Sequence, residues 1–144
     1  MPGKNIKAFL DANTIISGLL FQGNEATLLE LGRIQAIQLV TNRYVMSEVT
    51  AVLARKEFSL THEEINGLTR YIHECLTVTD NPSNELVQEN MGLLEDKKDI
   101  PVALGALGPG IDYLVTGDKE LLDEESLPSI TTKNLLKQIL PESH

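Results

Sequence analysis

Two short, mostly apolar runs in this chain end on an aspartate. Ile6 to Leu10, broken only by Lys7, runs into Asp11, and Tyr113-Leu114-Val115 runs through Thr116-Gly117 into Asp118. A strand buried on both faces of a parallel sheet reads as a near-continuous apolar run, and in open α/β sheets ligands bind just beyond the strands' carboxyl ends. The pattern therefore predicts a parallel sheet with two aspartates at its ligand-binding edge. Two carboxylates roughly 4 Å apart repel by about 4 kcal/mol at an effective dielectric of about 20, so such a pair calls for a cation between them.

The rest of the chain fits this frame. The apolar periodicity predicts helices over 13–20 and 24–32, the second capped by Asn24, then a strand at 38–40. A helix over 42–56 places Val45, Val49, Val52 and Leu53 on one face, with Glu48 at the border of that stripe. Thr61-His62-Glu63-Glu64 is a capping box opening a helix that ends near Cys75. A strand at 76–78, a break at Asp80-Asn81-Pro82, a helix over 84–94 and a charged turn at 95–98 follow. Asp99 is expected to cap a helix running to Ala106, with Pro101 in its first turn and Gly108-Pro109-Gly110 after it. The strand at 113–115 leads to a short helix near Glu120, a strand at Ile130 and a last helix over 132–140. Strands alternating with helices predict an α/β fold with a central parallel sheet. With 144 residues, 42% of them hydrophobic, one domain over 1–144 is expected.

Charge and cysteine usage narrow the function. No run approaches the roughly 18 apolar residues of a membrane span, and no signal peptide is apparent, so a cytoplasmic protein without a membrane role is expected. Cys75 is the sole cysteine, which fits a reducing compartment. Twenty-one acidic against 12 basic side chains give a net charge of −9, which removes any broad attraction for nucleic acid and leaves only local or metal-mediated contacts. His62, His73 and His144 lack zinc-ligand spacing with one another or with Cys75. No phosphate-cradling GxxxxGK[ST] loop and no Ser-His-Asp or Cys-His arrangement is recognisable.

The acids remain. Asp11 and Asp118 lie at strand ends, Asp99 at a helix start, and Glu48 beside an apolar face. Taken singly, each has an ordinary reading as a cap, a turn residue or a solvated side chain. Taken together they supply the oxygen donors that Mg²⁺ or Mn²⁺ prefers.

Four segments, FLDANTIISGLL (9–20), SEV (47–49), DKKDIPVALGAL (96–107) and DYLVTGDKELL (112–122), resemble a PIN domain in chain order over nearly the whole sequence. The resemblance implies a three-layer α/β/α sandwich and a Mg²⁺- or Mn²⁺-dependent ribonuclease. It makes Asp11, Glu48, Asp99 and Asp118 the catalytic acids, with Asp11, Asp99 and Asp118 holding the metal. Asp96 is an alternative to Asp99, and Asp123 lies in an acidic run that reads as surface. Asn13, Thr116 and Gly117 would support the acids, and Lys97, Lys98 and Lys119 would steer the substrate. A single-stranded or structured RNA is the implied substrate, a single strand being preferred because it can thread a carboxylate cleft and expose its bases for recognition. Small PIN proteins of this kind resemble the VapC-like toxins of toxin–antitoxin pairs, which implies a small cognate antitoxin and a homodimer.

Three other readings compete. Asp11-Ala12-Asn13-Thr14 superficially matches the DxDxT start of haloacid-dehalogenase-like phosphatases, but Asn13 replaces the second aspartate and the threonine comes one place early. A receiver-like phospho-acceptor domain would use Asp80, after the strand at 76–78. Receivers, however, carry an acid pair at the first strand's end, where Asp11 stands alone. A catalytically idle PIN scaffold that binds a partner is the third.

Overall fold

A computed structural model describes residues 6–140; His144 and both ends of the expected 1–144 unit lie outside them. Five parallel strands form one sheet: β1 (Lys7–Leu10), β2 (Gln38–Asn42), β3 (Thr77–Thr79), β4 (Tyr113–Val115) and β5 (Ser129–Ile130). Their spatial order is β3-β2-β1-β4-β5. The chain thus moves outward from β1 through β2 to β3, then crosses to the other side of β1 for β4 and β5. That reversal puts the topological switch point between β1 and β4, where a crevice opens beyond the carboxyl ends. Leu10 pairs with Val115, so the next residues, Asp11 and Thr116, stand side by side there.

Helices α1 (Ala12–Leu20), α2 (Asn24–Arg33), α3 (Arg43–Leu53), α4 (His62–Cys75), α5 (Asn84–Glu89), α6 (Ile100–Ala106), α7 (Lys119–Asp123) and α8 (Thr132–Ile139) flank the sheet, giving the expected α/β/α sandwich. The core forms where the sequence is most continuously apolar: Ala8, Phe9, Leu10, Leu114 and Val115 are all within 1% of full burial. Helix α3 turns Val45, Val49 and Leu53 into it, and α6 turns in Ile100, Val102, Ala103 and Ala106. Gly105 lets α6 sit close to the sheet, because a Cβ there would lie 2.5 Å from the Phe9 ring. The Thr61–Glu64 capping box forms in both directions at the start of α4.

Several element boundaries differ from expectation. The third strand is Thr77–Thr79, one residue later than 76–78, because the amide of Leu76 still closes the last turn of α4 on Ile72. Helix α5 stops at Glu89 rather than reaching 94. The Asn90 side chain donates to the carbonyl of Leu86 (2.8 Å) and so competes with the next backbone bond. Helix α3 ends at Leu53, and the chain re-forms a short 3-10 turn at Lys56–Phe58. Asn24 is the first residue of α2, with Gly23 (φ 155°) in the cap position.

Candidate active site

At the switch point, Asp11 is 7% exposed and Thr116 1%. Asp11 caps α1 by accepting from the amide of Thr14 (2.9 Å), and its other carboxylate oxygen accepts from the Thr116 hydroxyl. That hydroxyl in turn accepts from the amide of Asp118 (3.0 Å). Asp118 caps α7 through the amide of Leu121 (3.2 Å) and is otherwise exposed. The two strand-end aspartates are thus joined through one buried hydroxyl, and the backbone of Asp11 is fastened to the Val115 carbonyl (3.3 Å). The capping reading and the site reading coexist, since a carboxylate has lone pairs for both.

Asp99 is different. The 3-10 turn Lys97–Asp99 runs directly into α6, so Asp99 has helical backbone angles (φ −90°, ψ −3°) where a capping residue needs an extended conformation, and its side chain makes no capping bond. This corrects the expectation that it caps α6. Asp96 does the capping instead, accepting from the Lys98 amide (3.1 Å) on the preceding turn. The half-buried Asp99 carboxyl is left uncommitted. Burial, and then the negative fields of Asp96, Asp118, Glu48 and Glu120, lift its pKa to about 6. Glu48 is exposed on α3 and belongs to this field. Among the described residues, none of Asp11, Glu48, Asp96, Asp99, Asp118 and Glu120 is in an ion pair.

Three residues that the sequence did not single out shape this half of the cleft. Glu120 accepts from the amides of Glu95 (2.8 Å) and Asp96 (3.4 Å), clamping the 95–96 turn to α7 across 25 positions of sequence. Asn42, 1% exposed, caps α3 through the amide of Val45 (3.0 Å) and donates to the carbonyl of Pro101 (3.1 Å). It therefore ties the end of β2 to the first turn of α6, next to Asp99. Tyr44 sits in the same field: burial first, then Glu48, Asp99 and Asp96, raise its phenol pKa. An asparagine preceding a helix was a readable cap signal, whereas the partners of Glu120 and Tyr44 come from distant segments and left no local mark.

The supporting residues divide. Thr116 bridges the aspartates, Asn13 is exposed at the start of α1, and Gly117 is exposed. No positive φ requires glycine at 117, and a Cβ there would meet nothing within 4 Å, so the tight-turn reason for that glycine fails and only its open face remains. Lys97 turns its ammonium onto the carbonyls of Met91 and Leu94 (3.1 Å to the latter), and Lys119 pairs with Asp123 (2.7 Å). Lys98 is exposed and has no such partner among the described residues. The receiver reading meets two obstacles. Receivers use the strand order 2-1-3-4-5, and Asp80, beyond the edge strand, faces Arg43 (3.6 Å).

The sequence profile of the PIN domain family matches residues 7–120. The chain belongs to the PIN domain family. PIN domains are typically nucleases and generally metal-dependent. No curated protein matches the sequence. Among solved structures, the PIN-domain fold here is similar to PAE2754 from Pyrobaculum aerophilum, at 19% identity and a TM-score of 0.66, covering 95% of this chain and 97% of that one. It is also similar to VapBC2 from Rickettsia felis, solved bound to a DNA fragment from its promoter, at 17% identity and a TM-score of 0.65, covering 88% of this chain and 98% of that one.

By donor type, though not by spacing, the set suits a hard divalent ion: carboxylates in excess, that of Asp99 uncommitted, and no counter-charge from an ion pair among the described residues. The carboxylates stand apart rather than in a cage. Among the described residues no three His, Cys, Asp or Glu side chains converge closely enough to hold a metal. Separately, no helix among them is long and apolar enough to cross a membrane.

Proposed function

We propose that this PIN domain is a Mg²⁺- or Mn²⁺-dependent endoribonuclease. The observation that carries the reading is the meeting, at the β1/β4 switch point, of Asp11 and Asp118 through Thr116, with Asp99 left uncommitted in the field of Asp118. Asp11, Asp99 and Asp118 would hold the cation, with Glu48 at the rim. Bound there, a divalent ion supplies charge stabilisation at the phosphoryl oxygens and a more acidic water. The chain's own part is positional. Thr116 and the Thr14 amide fix the Asp11 carboxylate, α7 fixes Asp118, and Glu120 and Asn42 fix the turn that carries Asp99. Asn13 and the open face of Gly117 would line the approach to these acids.

The acidic surface favours a substrate drawn in locally. Within the proposed steering set Lys98 has no partner among the described residues, and Lys97 and Lys119 would contribute only on leaving their present partners. A single-stranded or structured RNA suits such a cleft, since unpaired bases can be splayed and read. We read the chain further as the toxin of a cytoplasmic toxin–antitoxin pair, restrained by a small cognate antitoxin and active as a homodimer, with residues 1–144 as one nuclease domain.

The decisive experiment compares wild type with Asp118→Asn on single-stranded RNA with Mg²⁺ or Mn²⁺, melting temperatures being recorded alongside. Cleavage should fall by more than about a hundredfold without loss of fold. Equal cleavage by the variant would overturn the assignment. The open spacing of the carboxylates favours one rival, a metal-free PIN scaffold that binds a partner. Mn²⁺ at roughly a hundred times its dissociation constant should stabilise a true metal site by about 2.7 kcal/mol, and an idle scaffold not at all.

A further inference from the structure

Beside the acids, on the β5 side of the switch point, a cleft of about 270 Å³ opens between α1, the start of α2, Thr116-Gly117 and the first turn of α8. Its hydroxyls fall into two groups. Thr14 donates to Val115, Thr116 to Asp11, and Thr131 caps α8 through the amide of Asn134, so these are already engaged. Thr132 is only 5% exposed, yet its side chain makes no hydrogen bond among the described residues. No side-chain oxygen or nitrogen among those residues is fully enclosed without a partner, so the Thr132 hydroxyl opens into the cleft it lines. Asn13, Ser17 and Asn24 line the same space with their side-chain groups likewise unengaged, and Lys133 and Glu25 bring one charge of each sign.

This lining identifies its ligand by chemistry. A free phosphate is chiefly an acceptor and would bring its negative charge up to Glu25 across the cleft. Hydroxyls and amides both donate and accept, which matches a ribose and the edge of a base. The first turn of α8 adds backbone N–H groups without intrahelical acceptors, and Lys133 stands next to them for the neighbouring phosphate. We propose that this cleft is a nucleoside subsite, holding the nucleotide that adjoins the scissile phosphate, and that Thr132, Ser17 and Lys133 set which base is accepted there. The placement of the scissile phosphate rests on the ribonuclease reading; the existence of the subsite does not.

The test therefore has two arms. In the first, metal-free wild-type protein is titrated by NMR with the four 5′-mononucleotides, and with inorganic phosphate and ribose 5-phosphate as controls. Mononucleotides should shift the amides of Ser17, Thr132 and Lys133 with a preference among bases, whereas phosphate alone should leave Ser17 unmoved. Thr132→Val and Ser17→Ala should each weaken that binding by about three- to tenfold, the value of one lost hydrogen bond. An equal response to phosphate alone, or shifts confined to other surfaces, would overturn the subsite. Lys133→Ala, at an exposed position, keeps the test open should Thr132→Val fail to fold. In the second arm, Thr132→Val and Lys133→Ala should raise KM and relax base preference beside the cut. If wild type cleaves RNA while these variants keep its KM and base preference, the subsite is wrong and the nuclease stands. If wild type cleaves nothing, the nuclease reading fails and the titration still decides the cleft.

Discussion

On the β1/β4 side of the cleft, Asp11 is buried and both of its carboxylate oxygens receive hydrogen bonds; on the α6 side, Asp99 is half-buried, receives none and holds its proton up to about pH 6. The first side is anchored by the sheet register and by two helix caps, so its carboxylate oxygens are held by donors that the fold itself supplies. The second is carried on a 3-10 turn and held in place by the side chains of Glu120 and Asn42. Its charge is opposed by burial and by four neighbouring acids. One half of the cleft therefore contributes to stability as it stands, while the other costs stability until a cation enters.

The largest expected effect removes the bridge on the stable side. Thr116→Val keeps the shape but strips the donor from a buried Asp11 oxygen and the acceptor from the Asp118 amide. It should destabilise the fold by about 2–3 kcal/mol, read as a lower urea midpoint at unchanged slope, and cleavage should fall with it. An unchanged midpoint would mean that the bridge does not anchor that half.

Asn42→Ala acts where the two halves meet. It removes the α3 cap and the bond to the Pro101 carbonyl, for a loss of about 1.5–2 kcal/mol in the same urea measurement. The Asp118→Asn variant should keep its fold better than Asn42→Ala does, because Asp118 is exposed and Asn42 is buried. The reverse order would place the structural load of the cleft on α7 rather than on β2.

How much of this was legible in the sequence follows the same division. Asp11 and Asp118 were readable because β1 and β4 are central strands, buried on both faces, whose apolar runs stop where the crevice begins. The edge strand was misplaced by one residue because Thr77-Val78-Thr79 is partly exposed and carries no continuous apolar run. Asp99 was found in sequence for a reason the fold does not use. A capping aspartate and an uncommitted one look alike in sequence, and only the backbone conformation at that residue separates them. Glu120, Asn42 and Tyr44 act through partners brought near by the topology, which no local window contains.

Asp99→Asn tests the costly side, and its sign is opposite to that of the first two variants. Folded Asp99 keeps its proton to about pH 6, whereas the unfolded chain releases it near the ordinary aspartate value of 3.8. Between those values the folded state binds more protons, so stability falls as pH rises, and above about pH 6 the full penalty applies. The variant should be more stable than wild type at pH 7 by about 1 kcal/mol, after allowance for solvent screening at this half-exposed carboxyl, and equal to it at pH 4. Mn²⁺ should stabilise wild type more than the variant. A variant less stable than wild type at pH 7 would show that Asp99 is satisfied after all.

The smallest effects separate two adjacent lysines that sequence alone treats alike. Lys97 holds the carbonyls of Met91 and Leu94, closing the loop that precedes the Asp99 turn, while Lys98 has no partner among the described residues. Lys97→Ala should cost about 0.5–1 kcal/mol and loosen the Asp99 side, seen as faster amide exchange over 91–99. Lys98→Ala should leave the melting temperature unchanged. If Lys98 steers RNA, its removal should weaken binding evenly across sequences and reduce the salt dependence by roughly one phosphate contact, about 0.7 in the logarithmic slope for a single strand. Equal salt slopes for both variants would remove Lys98 from the steering set. A stability loss at 98 but not at 97 would mean that the turn is fastened from the opposite side.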